Sequence, residues 1–343
     1  MTRTARLALG AAAASIILWI ATWFALASHI ESRALAWIER ERERGISLAY
    51  RTLRIEGFPF TWRLIAEDYA IGRAEQVLAG ARLEAILLPW QLRDVPINLP
   101  GRHRLERRDA AGSTAIELEA ARPEARMQLN GAGRIRSLDV DLGDLQARTP
   151  GSAEMVKARR AHFVAREIDP IDPARREFLN ITIELDDVEP PPGWQAPFSQ
   201  KLRRGEAEIG VRGAATRGAT PAEAVAAWRD GGGVVELRRL TLDWAPLFIS
   251  GDGTATLDRQ NRPQAAFSVR VAGYAELLDA LVQSRQIGRG QANMIRAALN
   301  IVAKPAPGTG RNEVSIPITA QDGKLSILGI ALMNLPPMPL PAR

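Results

Sequence analysis

Cysteine is absent from this sequence, which excludes disulfides and thiolate-ligated metals outright. Histidine is nearly absent: His29, His103 and His162 are far apart, and no H-x-x-x-H or H-E-x-x-H spacing offers a metal site. There is no G-x-S-x-G elbow and no G-x-x-x-x-G-K-[ST] phosphate loop. Gly251-Asp252-Gly253 and Gly288-Arg289-Gly290 are isolated glycine motifs, expected to be a turn or bulge and a break between helices. Asp139, Asp141 and Asp144 could invite a cation, but read better as the wet face of an amphipathic strand. Asp169-Pro170-Ile171-Asp172-Pro173 reads as a rigid loop. No cofactor and no enzymatic activity are expected. A periplasmic hydrolase is the weakest reading and would have to rest on His103, His162 or the 139–144 aspartates.

Lysine is also scarce, occurring only at 157, 201, 304 and 324, so arginine carries nearly all the positive charge. The 45 basic residues face 39 acidic ones, interspersed, for a formal charge of +6. A nucleic-acid binder would gather such charge on one face, often with stacking aromatics, so no nucleic-acid partner is expected. The densest cluster, Arg102, Arg104, Arg107 and Arg108 around His103, holds no aromatic. It fits either a solvated loop or a contact with anionic lipid headgroups.

Against these absences stands one long uncharged run, residues 7–28. At about 1.5 Å per residue it reaches roughly 33 Å, enough for a bilayer core of about 30 Å. A cleaved signal peptide is the rival: Arg3 and Arg6 make a basic start, and Ala25-Leu26-Ala27 before Ser28 fits a cleavage site. The run exceeds the usual signal core of about 7–15 residues, however, and carries Trp19 and Trp23. Helical spacing also continues through Ile30, Ala34, Leu35, Trp37 and Ile38 into an alternating Glu-Arg end closed by Gly45. The chain therefore divides into a short cytoplasmic segment (1–6), a transmembrane signal anchor (7–28), a helical stalk (29–45), a β-rich body (46–335) and a proline-rich tail (336–343). Arginines on both flanks leave the orientation undecided by charge alone.

The body alternates with period two. Leu179, Ile181, Ile183 and Leu185 interleave with Asn180, Thr182 and Glu184, giving a strand with one dry and one wet face. Leu138/Val140/Leu142, Ala207/Ile209/Val211, Phe267/Val269/Val271 and Val314/Ile316/Ile318 repeat it. Such one-sided strands belong to antiparallel sheets. Asn130-Gly131 and Asp322-Gly323 signal hairpins. Parity slips between Val235/Leu237 and Leu240/Leu242/Trp244, and between Tyr50/Thr52 and Leu53/Ile55, predict bulges. The expected fold is mainly β: long, curved, bulged antiparallel sheets with a few inserted helices, after the N-terminal transmembrane helix. Those helices are predicted from a Thr220-Pro221-Ala222-Glu223 capping box through about Arg229, over 274–285 and over 291–302. The connector 189–194 (EPPPGW) is the best sub-boundary within the body. The tail motif PPMPLP (336–341) suits polyproline II, as a cover over an edge strand or a partner-binding peptide.

The order of these features resembles a family of bacterial envelope proteins catalogued as domain of unknown function 2125. The shared landmarks are the anchor, Gly57-Phe58-Pro59-Phe60 after a strand, Leu88-Pro89-Trp90, the stretch from Gly233 through Leu242-Asp243-Trp244, Ser250-Gly251-Asp252-Gly253, the helical pair, and Gln321-Asp322-Gly323-Lys324-Leu325. The resemblance implies an inner-membrane protein with its body in the periplasm and carries no activity. A looser similarity to AsmA-like envelope proteins implies lipid handling in a β-groove.

Strands with a clean dry face need another layer, a partner or a ligand, and three helices scarcely cover so many. The leading expectation is thus a non-enzymatic, membrane-anchored protein binding lipid or another hydrophobic ligand. Groove candidates are Leu179, Ile181, Ile183, Leu242, Trp244, Phe267 and Val269. The alternative is an envelope scaffold with a closed core that binds other envelope proteins.

Overall fold

The structure is a computed structural model, and it describes residues 3–43, 45–73, 76–109, 112–152, 154–168, 177–191, 201–213, 221–305 and 312–338. The protein is mainly β, with every strand pairing antiparallel. Two compact units emerge: Met1–Ala115 with Glu124–Arg134, and Ile116–Pro123 with Ile135–Arg343.

The first unit opens with helix α1 (Arg3–Glu43). Its Ala/Leu/Ile-rich run has no proline to interrupt it, and Gly45 in the left-handed region (φ 81°) turns the chain into β1. The stretch Ala14–Glu43 is long and apolar enough to cross a membrane. Strands β1 (Ile46–Ala49), β2 (Thr52–Glu56), β3 (Trp62–Arg73), β4 (Gln76–Leu87), β5 (Asp94–Asn98) and β6 (Arg102–Asp109) follow, and both ends of β7 (Gly112–Leu129) belong here too. β1 and β2 both pair with β3, β3 pairs with β4, and β4 takes β6 and β5 on successive stretches. The expected parity slip at Tyr50/Thr52 takes the form of a break between β1 and β2. Opposite it, Asp68 of β3 has φ 46° and accepts a 2.6 Å hydrogen bond from Arg51 Nε.

Helix α1 does not stand clear of this sheet. Trp23 (3% exposed) and Ala27 pack on Trp62 (3%), with Ile30, Ile55 and Leu87 around them. Further along, Arg42 donates to the Leu48 carbonyl (2.5 Å from Nη2). Leu48, Ile65, Tyr69, Val95 and Ala125 are also buried on the strands.

The second unit contains the middle of β7, then β8 (Ile135–Arg148), β9 (Met155–Glu167), β10 (Glu177–Glu189) and β11 (Leu202–Arg212). Helix α2 (Pro221–Asp230) precedes β12 (Val234–Trp244), β13 (Leu247–Leu257) and β14 (Pro263–Ala272). Helices α3 (Tyr274–Gln283) and α4 (Arg289–Val302) lead to β15 (Lys304–Pro305), β16 (Asn312–Gln321), β17 (Lys324–Ile327) and β18 (Ile330–Asn334). From β8 to β14 each strand pairs with the next, and β14 pairs with β16.

The predicted elements can be placed directly. The parity slip in β12 is a register shift between Leu237 and Leu240 against β13. Gly251-Asp252-Gly253 is neither turn nor bulge itself: it lies within β13, opposite that β12 bulge. Gly288 sits just before α4, between the two predicted helices. Asp322 (φ 52°) and Gly323 (φ 72°) form the tight β16–β17 turn. Glu189 ends β10, and β10 and β11 pair with each other across the proline connector, so the connector lies inside the second unit. Beyond β18, Leu335 N donates to Gly323 O and Met338 N to Asn261 O, so the start of the tail is bound to turns of this unit. The 169–173 loop lies outside the described residues.

Candidate functional site

Cross-strand partners in an antiparallel sheet share a face, so register alone shows which side chains lie together. One row of the second unit runs Leu138, Ala165, Ile181, Ile209, Leu237, Gly253, Phe267 and Ile318 across β8, β9, β10, β11, β12, β13, β14 and β16. The next runs Val140, Phe163, Ile183, Ala207, Leu240, Gly251, Val269 and Ile316. A third joins Leu142, Ala161, Leu185, Gly205, Leu242, Ile249, Val271 and Val314. Three parallel rows over eight strands contain no charged or hydrogen-bonding side chain.

All seven groove candidates belong to this face. Ile181 and Phe267 share the first row, Ile183 and Val269 the second, and Leu242 the third. Leu179 pairs with Val211, and Trp244 with Leu202. The residues sequence reading left out, such as Phe163, Leu240 and Ile249, carry the same alternation. What it lacked was the strand order that makes them neighbours.

Among the described residues the face is only partly covered. Ile181, Ile183, Leu242, Trp244, Phe267 and Val269 are each half-buried. Complete burial is found where α3 and α4 meet the sheet, at Val314, Ala272 and Leu247 on strands and Tyr274, Leu278 and Ala292 on helices, and also at Ala158, Leu202 and Ala320 on β9, β11 and β16. Tyr274 Oη donates to Asn300 Oδ1 at 2.9 Å, tying α3 to α4. Glycines open gaps in the face. A Cβ at Gly253 would stand 2.4 Å from Phe267 Cδ1, so only glycine leaves room for that ring.

The opposite face of the same strands is charged and paired. Arg160 Nη2 donates to Asp141 Oδ2 at 2.5 Å, which holds the Asp141 carboxyl below its usual range. His162 Nε2 donates to Asp139 (2.9 Å) and Nδ1 to Glu184 (3.2 Å). Burial would lower the pKa of His162, but these two carboxylates outweigh it and raise it. Arg238, half-buried, forks to the buried Glu177 and to Glu208. It lies over Gly210, where a Cβ would approach its Nη2 to 2.8 Å. The 139–144 aspartates thus sit on the wet face, and Arg160, His162 and Arg122 engage them. Among the described residues no group of histidine and carboxylates is placed to hold a metal. A depression of about 220 Å³ beside Lys157, Arg159, Asp187 and Lys201 is lined mainly by charges that pair with one another.

The remaining candidates lie in the first unit. Arg102, Arg104, Arg107 and Arg108 fall on β6, a strand rather than a loop. Arg104 pairs with Glu106 at 2.7 Å, and Arg107 stands opposite Gln76 of β4; the Arg108 side chain lies outside the described set. His103 plugs the space over Gly80, where a Cβ would meet its Nδ1 at 2.3 Å. Its Nε2–H donates to Leu99 O (2.9 Å), leaving Nδ1 to accept from the buried Tyr69 hydroxyl at 2.7 Å. Burial pushes Tyr69 up to about 12. That arrangement fixes the orientation of the His103 ring.

The family model described as "Uncharacterized protein conserved in bacteria (DUF2125)" matches residues 23–336, and the chain belongs to this family. No curated protein and no solved structure matches the chain.

Proposed function

For this member of a bacterial family, we propose a non-enzymatic role: an inner-membrane protein, anchored by α1 with its body in the periplasm, that binds lipid or another hydrophobic ligand on the apolar face of the second unit. The observation that carries this reading is the contrast between the two sides of β8–β16. One side is polar, with ion pairs across β8–β12, and suits water; the other presents three rows of aliphatic and aromatic side chains that, among the described residues, the helices α3 and α4 cover at one corner. Moving such a side chain from exposure to full burial gains roughly 1.5–3 kcal/mol, so covering even part of these rows by acyl chains is strongly favourable. A half-exposed apolar face running over eight strands is the kind of surface that takes up a ligand or partner.

Mass spectrometry of lipids co-purifying with the full-length protein tests it. A stoichiometric lipid that is lost from Ile183→Asp and Phe267→Asp variants supports the reading. A chain that carries no lipid and binds no hydrophobic dye overturns it.

A second reading, binding of envelope proteins, is favoured by β18 and α4. All five residues of β18, including Ile330, Leu332 and Met333, are exposed, and so are Met294, Ile301 and Val302 of α4. In-cell crosslinking from these positions separates a protein partner from a lipid.

A further inference from the structure

In the first unit, two loops carry large apolar side chains outward at the end of the sheet where α1 meets it. Trp62 opposes Leu87, so the β2–β3 loop (57–61) and the β4–β5 loop (88–93) emerge at the same end. Asp94 opposes Gln128 and Leu129 N donates to Arg93 O, which brings the 130–133 turn there as well. Trp23 meets Phe58 edge-on at 5.4 Å, and Phe24 stacks on Phe58 at 6.0 Å. N-terminal to this junction, Ile16, Ile17 and Leu18 of α1 are exposed.

Several polar groups of the 57–61 loop are answered within the protein. Trp19 Nε1 donates to Pro59 O (3.1 Å), Trp23 Nε1 to Thr61 O (3.2 Å), and both Thr61 N and Thr61 Oγ1 to Gly57 O. Pro59 has no N–H to satisfy. In the next loop Gln91 N donates to Leu88 O, and the Gln91 amide to Asp94. Irregular backbone reaches membrane depth only under such conditions. What these loops turn outward is apolar: Phe60 is 64% exposed and Trp90 71%, with Phe58 and Leu92 beside them. Arg93 and Arg134, at the same end, are exposed cations.

Resting on the reading that α1 spans a bilayer, we propose that this rim is itself embedded in the bilayer interface. Phe58, Phe60, Trp90 and Leu92 enter the headgroup–acyl boundary, and Arg93 and Arg134 meet the lipid phosphates. Aromatic side chains belong at that depth, and arginine beside them pairs with anionic headgroups. The bilayer is the occupant because the rim is continuous with the helix that crosses it, through the Trp19, Trp23 and Phe24 contacts. Two reassignments follow. The crossing stretch of α1 becomes about residues 7–23, roughly 25 Å of helix, since Trp23, Phe24 and Ala27 pack on the protein's own strands and the 57–61 loop. The β6 arginines are not the headgroup contact: Arg107 opposes Gln76, which lies roughly 35 Å along β4 from Leu87.

The absence of native cysteine makes the test direct. Ile16→Cys, Phe60→Cys, Trp90→Cys and Arg73→Cys variants of the full chain are labelled with an environment-sensitive fluorophore. They are then reconstituted in vesicles of phosphatidylethanolamine and phosphatidylglycerol, with nitroxide lipids or aqueous iodide as quenchers. All four positions are outward-facing, so folding is not at stake. Labels at 60 and 90 are expected to be quenched by nitroxide lipid about as strongly as at 16, and about threefold more than at 73. If 60 and 90 respond to iodide as 73 does while 16 remains lipid-quenched, the rim proposal falls and the anchor stands. If 16 itself escapes lipid quenching, the anchor reading falls and takes the rim with it. Shielding of 60 and 90 from both quenchers, with 16 lipid-quenched, would mean a protein or a second copy covers the rim, which also overturns the proposal.

Discussion

The two units use the same alternating strands to opposite ends. In the first, the strand side chain that meets α1 is sealed, since Trp62 lies under Trp23 and Ala27, and Ile65 further along the same strand is fully buried. In the second, the rows through Ile181, Ile183 and Leu242 stay half-exposed although they are at least as apolar. The difference lies in the supply of covering layers. One long helix suffices for a short sheet, whereas α3 and α4 reach only the β13–β16 corner of a much wider one. A dry face that the described helices cover only in part is ready to take up something from outside.

Truncation should break this symmetry most visibly. Ile65→Ala is expected to cost about 2–5 kcal/mol, because a fully buried site loses transfer energy and gains a cavity. Ile181→Ala, on the open face, should cost no more than about 1 kcal/mol. Denaturant unfolding of both variants in the same detergent measures the gap; equal losses would mean the open face is a closed core. Next in size, Gly253→Ala forces a Cβ into Phe267 and the Ala266 carbonyl, at an expected cost of about 1–3 kcal/mol. Gly251→Ala, whose Cβ would meet the Ser268 carbonyl at 2.9 Å and Val269 Cγ2 only at 3.5 Å, should cost less in the same assay.

Charge on the face sharpens the comparison in another way. Phe267→Asp should remove most co-purifying lipid, about tenfold or more, while circular dichroism stays native, since a half-exposed carboxylate keeps its water. The smallest effect expected is pH-linked. His162 has a raised pKa in the folded state, so its contribution is fully present below the unfolded value near 6.5 and is lost as pH rises through the folded value. The melting-point advantage of wild type over His162→Gln should therefore be greater at pH 5.5 than at pH 8.5. A constant difference would remove the ionic role of His162 between Asp139 and Glu184.

Much of the architecture was legible in the sequence because period two and period 3.6 are local properties. The β10 alternation, the β12 slip at Leu237/Leu240 and the α3–α4 pair could each be read from a dozen residues. Gly251-Asp252-Gly253 misled, because glycines inside a strand look like a turn until the ring of Phe267 is seen to need the space at Gly253. The β6 arginines looked like a loop cluster because alternation there is masked by charge on both parities.

By itself, then, the sequence determined the membrane-length helix, the antiparallel class and the dry face of each strand, since these depend on spacing along one segment. Only the tertiary structure decided that Ile181, Ile209, Leu237 and Phe267 form one row, that Trp23 is spent on Trp62, and that Phe60 and Trp90 share one end of a sheet. Strand order and register join residues far apart in the chain. Pairing across long loops leaves no periodic trace in the sequence it connects.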